Sequence, residues 1–120
     1  TVPHTTQHHT MLTNTLFTIF AEATSLSETL KAAGIKNQLT ALAKTARAQI
    51  KYLVTHTTPP QKFTTHSKKE VKSLVKNLTA YKRNLSKLDT LNQIDALIAN
   101  LNKAQHLKTT IYNHHTLARR

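Results

Sequence analysis

Apolar residues recur along this chain at intervals of three and four, a spacing that predicts amphipathic helices. From Thr10 to about Lys31, the residues Leu12, Leu16, Ile19, Phe20, Ala23, Leu26 and Leu30 fall on one helical stripe. Gly34, the single glycine, follows the last of them and stands where a helix C-cap belongs. Threonines weaken this first helix through their β-branching, so its apolar face has to be supported by packing. A second helix, from Ile35 to Val54, carries Ile35, Leu39, Leu42, Ala46, Ile50 and Leu53. Residues 55–66, THTTPPQKFTTH, then break the pattern. Pro59-Pro60 has no place inside a helix, and the residue before a proline prefers extended backbone. This stretch reads as a connector between two helical pairs.

Ser67-Lys-Lys-Glu70 has the form of a capping box and directly precedes an apolar run. The stripe of the third helix is Val71, Leu74, Val75, Leu78, Tyr81, Leu85 and Leu88. Apolar positions 85, 88, 91 and 94 come at intervals of three, so each step slips the stripe by about 60°. Without a glycine or proline after Pro60 the third helix could run straight on to about Leu117, but that slip, with Asp89 as an N-cap, favours a tight turn over Ser86–Thr90. A fourth helix then carries Leu91, Ile94, Leu97, Ile98, Leu101 and Ile111 to about Leu117. Residues 1–10, TVPHTTQHHT, offer only Val2 for burial and read as a polar N-terminal arm. The expected organisation is this arm followed by a single helical domain over 11–120. Its fold class is all-α: four amphipathic helices in two helical hairpins. They either pack as a bundle or open at the Pro-Pro connector into an extended, wrapping arrangement.

Composition agrees with that outline. One glycine and three prolines leave little material for tight turns. The absence of cysteine removes disulfide and thiolate chemistry. No apolar run approaches the roughly 20 residues of a membrane span, and no signal-peptide pattern opens the sequence.

Charge changes the picture more. The formal net charge is +12, and thirteen of the seventeen Lys and Arg residues lie between Lys31 and Lys87, with Glu70 as the only acid there. Lys44, Arg47 and Lys51 share a helical row opposite Leu42 and its stripe, at about 100° per residue. Lys69, Lys72, Lys76, Arg83 and Lys87 fall opposite the stripe of the third helix, flanked by Lys68 and Lys82. Solvated faces usually mix signs, and these do not. Each such cation can neutralise one phosphate and release a counterion, so a row acts additively in log K. The expected partner is a polyanion, best read as double-stranded nucleic acid with DNA favoured. The expected contacts are Lys44, Arg47, Lys51, Lys68, Lys69, Lys72, Lys76, Arg83 and Lys87. Base-specific reading is not expected. Tyr52, Tyr81, Tyr112, Phe17, Phe20 and Phe63 mostly take core-facing positions, with no interleaving of aromatics and bases along the sequence. Backbone contact to a duplex fits better. The competing readings are a basic amphipathic protein on an anionic membrane surface, a cellular nucleic-acid-binding protein, and a helical scaffold whose charge serves solubility.

Eight histidines raise the question of a metal. His4 and His8 are four apart, and His8-His9 and His114-His115 are doublets, but no acid lies near either cluster. Neither a metal nor another cofactor is expected. The sequence lacks a phosphate-binding glycine loop and a nucleophile elbow, so no enzyme is expected either. Asn77-Leu-Thr79 and Asn84-Leu-Ser86 match the glycosylation sequon but fall inside a predicted helix.

In size, lack of cysteine, the arm TVPHTTQHHT, two basic helices around Lys44–Lys51 and Lys68–Lys87, and a paired-hairpin layout, the chain resembles the major coat proteins of filamentous archaeal double-stranded DNA viruses. The likeness is architectural and rests on no residue motif, and the richness in Asn, Gln and Thr departs from a heat-resistant virion protein. It implies a virion protein whose basic helix faces clamp duplex DNA. Leftover apolar faces would join neighbouring subunits, copies or a close paralogue, into a filament locked by the arm.

Overall fold

Four helices follow one another: α1 (Val2–Thr29), α2 (Ala33–Thr55), α3 (Lys68–Lys82) and α4 (Leu88–Ala118). The structure, a computed structural model, describes residues 2–55 and 68–118, with side chains over 8–54 and 69–111. α1 packs on α2 and α4, and α3 packs on the same two helices. Among the described residues the backbones of the diagonal pairs, α1 with α3 and α2 with α4, nowhere bring Cα atoms within 8 Å of each other. The helices therefore close into a four-membered ring, an elongated bundle of 50 × 22 × 21 Å. The bundle, rather than the opened arrangement, is what the apolar stripes build.

The packing follows from the spacing. Buried positions on α1 are Leu12, Leu16, Ile19, Ala23, Leu26 and Leu30, alternating steps of four and three. On α4 they are Thr90, Ile94, Leu97, Leu101, Ala104, Lys108 and Ile111, with the same alternation, and Leu107 beside them. A seven-residue repeat of this kind keeps one seam turned inward along long helices. α2 contributes Ile35, Leu39, Leu42, Ala43, Ala46, Ile50 and Leu53, and α3 contributes Val71, Leu74 and Leu78. At 1.5 Å per residue, α1 and α4 are about 42 and 46 Å long, and α3 only about 22 Å. The third helix thus covers about half of the bundle's length.

Threonine does not disrupt α1, because its hydroxyls are satisfied within the helix. Thr13, Thr15, Thr18 and Thr29 each donate to the carbonyl four residues earlier, at 2.7–3.1 Å. With those groups paired, burial of the leucine and isoleucine stripe decides for the helix.

Several boundaries differ from the expectations. Helical backbone begins at Val2 rather than Thr10, so residues read as an arm are continuous with α1. Pro3 permits this because it stands in the first turn, where its missing N–H has no carbonyl to bond. Gly34 is no C-cap: α1 ends at Thr29, and Gly34 lies in the first turn of α2 without positive φ. The second break comes earlier than Ser86. Arg83, Asn84 and Leu85 donate to the carbonyls of Ala80, Tyr81 and Lys82, three residues back, which tightens and ends α3. α4 then starts at Leu88, so Asp89 stands inside its first turn rather than at the N-cap, and Leu88 is 67% exposed instead of buried. The Pro-Pro connector and Ser67 of the capping box lie outside the described residues.

Candidate nucleic-acid interface

Two side-chain contacts orient the basic rows. Gln38 donates to Ser73 Oγ at 3.5 Å, and Asn77 donates to Gln38 Oε1 at 2.9 Å. They mark the flank of α2 that faces α3. On the other side of the ring, Asn100 of α4 donates to Glu22 of α1 at 2.8 Å. Lys82 pairs with Asp95, tying α3 to α4. With these anchors, the angular order of the residues gives each helix a known left and right.

Gln38 lies about 80° to one side of the centre of α2's buried stripe, toward α3. Lys36, Arg47, Lys51 and Lys44 lie about 80–160° to the other side, toward α1. On α3, Asn77 and Ser73 occupy the α2 flank, while Lys69 and Lys76 point straight outward and Lys72 leans toward α4. Lys44, Arg47, Lys51, Lys69, Lys72 and Lys76 are all exposed. The two rows therefore stand on two adjacent corners of the bundle and lean away from each other. Between them runs a floor of Gln38, Ala41, Thr45 and Ala48 on α2 with Glu70, Ser73, Asn77 and Ala80 on α3, in which exposed Glu70, seven residues before Asn77, is the one charged group among the described residues.

Eight of the nine sequence-predicted contacts thus fall into three groups. Lys44, Arg47 and Lys51 form one ridge. Lys69, Lys72 and Lys76 form a second, over less than two helical turns. Arg83 and Lys87 are exposed but lie in the link between α3 and α4, so they extend the second ridge past the helix rather than belonging to its face. Lys68 begins α3, and its side chain lies outside the described residues. Lys82, expected as a flanking base, is committed to Asp95.

Sequence reasoning missed two groups. Phe17 is 53% exposed on the flank of α1 that faces α2, beside the first ridge. The signal was present in its position off the stripe, 100° from Leu16. Lys108 is 7% exposed, inside the core. It lines a cavity of about 20 Å³, enough for one water, together with Leu16, Ile19, Leu42, Thr45, Ala46, Val71, Leu101, Ala104 and Gln105. Burial pushes its pKa down to about 7 from 10.5. Burial likewise lowers the pKa of His9.

Among the described residues no group of three or more His, Cys, Asp or Glu is placed to hold a metal, and no helix is long and apolar enough to cross a membrane. Comparison of the chain with protein-family models, curated proteins and solved structures finds no match.

Proposed function

We propose that this protein is a structural nucleic-acid-binding protein that coats duplex DNA without sequence specificity, as a viral coat protein does. The observation that carries the reading is the pair of exposed single-sign ridges, Lys44–Arg47–Lys51 and Lys69–Lys72–Lys76, on adjacent corners of one rigid bundle. Rows of exposed ammonium and guanidinium groups on helices suit phosphate backbones, which they engage without reading bases. With seventeen bases against five acids, the fold cannot neutralise itself, and a polyanion completes the balance.

Assembly of copies on the duplex has to use polar surface, because the apolar stripes are consumed within the bundle. The outer face of α1 is suited to it. Thr10, Asn14, Thr18, Ala21 and Ser25 are exposed there, with Glu28 at one end as its charged group and Phe17 at its α2 edge. Copies meeting on that face keep both ridges apart and open to DNA. The closed bundle also weighs against the lipid reading, since an interfacial helix needs a free apolar face.

The test is affinity for a short DNA duplex across a salt series, with anionic vesicles as the rival ligand. A log–log slope of several units, at about 0.9 per phosphate contact, supports the proposal, and filaments on longer DNA support the coat reading. A flat slope with weak affinity overturns it, and vesicle binding in its place favours the membrane alternative.

A further inference from the structure

The exposed ring of Phe17 and the first basic ridge come together in space although they are thirty residues apart in sequence. α1 and α2 run antiparallel from the short link at residues 30–32. Phe17 lies about 18 Å from the end of α1, and Arg47 about 21 Å from the start of α2, so the two stand at one level. The shared cavity confirms the register, since Leu16 and Ile19 line it with Thr45 and Ala46. Phe17 is on the α2 flank of α1, because Glu22, bonded to Asn100, marks the opposite flank as the α4 side. Arg47 is on the α1 flank of α2, opposite Gln38. Lys44 and Lys51 stand one turn to either side of Arg47. Phe20, half-buried one turn further along α1, packs against the core. Glu22 faces away, and Glu28 lies near the far end of α1, so no carboxylate of the described residues intervenes.

We propose that this α1–α2 corner binds a single-stranded segment of nucleic acid, stacking an unpaired base on Phe17 while Lys44, Arg47 and Lys51 hold the flanking phosphates. This rests on the nucleic-acid reading above and divides its labour. Among the described residues the α3 ridge has no exposed aromatic beside it and is suited to backbone alone, whereas the α1–α2 corner joins an apolar π-face to three cations. A duplex keeps its base faces stacked, so an exposed phenyl ring gains little from it, while every unpaired base offers a face. A second copy of this chain is a poorer occupant, because docking two such corners brings the Lys44–Arg47–Lys51 rows together. A bilayer is poorer too, since one phenyl ring among hydroxyls gives little area to insert.

The experiment measures binding of a 12-nucleotide single strand, an abasic strand of equal length, and a duplex, to the full chain and to Phe17→Ala and Phe17→Trp. With the ring 53% exposed, Phe17→Ala leaves the bundle folded, as circular dichroism verifies. The expected result is a loss of about five-fold or more for the ordinary single strand in Phe17→Ala, with duplex and abasic affinities unchanged. In Phe17→Trp affinity is kept, and the indole fluorescence is quenched by the single strand. Equal losses on all three ligands, or none on the single strand, overturn this inference while leaving the duplex reading intact. So does a change of oligomeric state in Phe17→Ala without a change in binding, which assigns the ring to a second copy. A Trp emission that shifts to the blue with anionic vesicles and does not respond to the single strand assigns it to lipid. Failure of the unaltered chain to bind any of the three nucleic acids overturns both proposals.

Discussion

The Asn77 side chain donates to Gln38 Oε1 at 2.9 Å, and this contact marks the α2–α3 face that separates the two basic rows. Because the rows sit on separate corners, the proposed duplex binding should engage them as independent sites. The double change Lys72→Gln/Lys76→Gln should lower the magnitude of the salt slope by about 1.8, at about 0.9 per phosphate contact. Lys44→Gln/Lys51→Gln should do the same, and the four-fold variant should give the sum in log K. Fluorescence anisotropy across a salt series measures all three. A four-fold variant no weaker than either pair would mean that one row alone touches DNA.

Lys108 sits at a seam position of α4 among apolar side chains, with Thr45 and Gln105 as the polar groups of its cavity. No other titratable side chain lines that cavity. Its pKa falls from 10.5 to about 7 on folding. Between those values the unfolded chain binds a proton that the folded chain does not, so stability rises with pH across that window. Below about pH 7 both states are protonated, and the full cost of burying the ammonium remains. Lys108→Met keeps the length of the side chain and removes the charge. It should stabilise the protein by up to a few kcal/mol at pH 6, and by progressively less toward pH 10. Urea denaturation of both proteins at several pH values reads the difference, and a pH-independent difference would contradict the assignment.

Leu74 and Leu88 were equivalent members of one predicted stripe, and the structure separates them. Leu74 is 1% exposed and Leu88 is 67% exposed. Leu74→Ala should cost about 2–5 kcal/mol, the range for a buried leucine that leaves a cavity. Leu88→Ala should change stability by no more than about 0.5 kcal/mol. Thermal or chemical denaturation distinguishes them, and equal costs would place the α3–α4 break elsewhere.

The stripes of α1 and α2 were legible because leucine, isoleucine and alanine mark most inward positions from Leu12 to Leu30 and from Ile35 to Leu53, with Thr15 and Gln49 as the buried polar exceptions. Legibility failed where a polar letter occupies an apolar place. Thr90 and Lys108 are buried at the steps of four and three that also carry Ile94, Leu97, Leu101, Ala104 and Ile111. Reading spacing before residue type would have found them. The start of α1 was not legible because residues 1–10 offer only Val2 for burial, whereas helical backbone continues to Val2 without an apolar stripe to mark it. The basic rows were identified from the sequence as lying opposite the core, and the structure leaves Lys44, Arg47, Lys51, Lys69, Lys72 and Lys76 exposed. Their mutual arrangement was not legible. A helical wheel has no neighbour to refer to until Gln38 meets Asn77 and Glu22 meets Asn100. The same holds for Phe17, whose cationic surroundings belong to another helix.

Lys82 and Asp95 tie α3 to α4 across the corner next to the second ridge. Lys82 is 30% exposed and Asp95 is 56% exposed, so solvent screens the pair, and it contributes no more than about 1 kcal/mol to stability. Its larger effect is on charge, because Asp95 is the acid that holds one lysine of the basic segment out of the ridge. Asp95→Asn should cost little stability and release Lys82 toward the ridge of Lys69, Lys72 and Lys76. Duplex affinity at low salt should rise, and the magnitude of the salt slope should increase by about 0.9 if Lys82 gains a phosphate. Asp89, also exposed, serves as the control: Asp89→Asn removes the same charge from the first turn of α4. A gain common to both variants would reflect net charge alone, whereas a steeper slope confined to Asp95→Asn identifies Lys82 as the added contact.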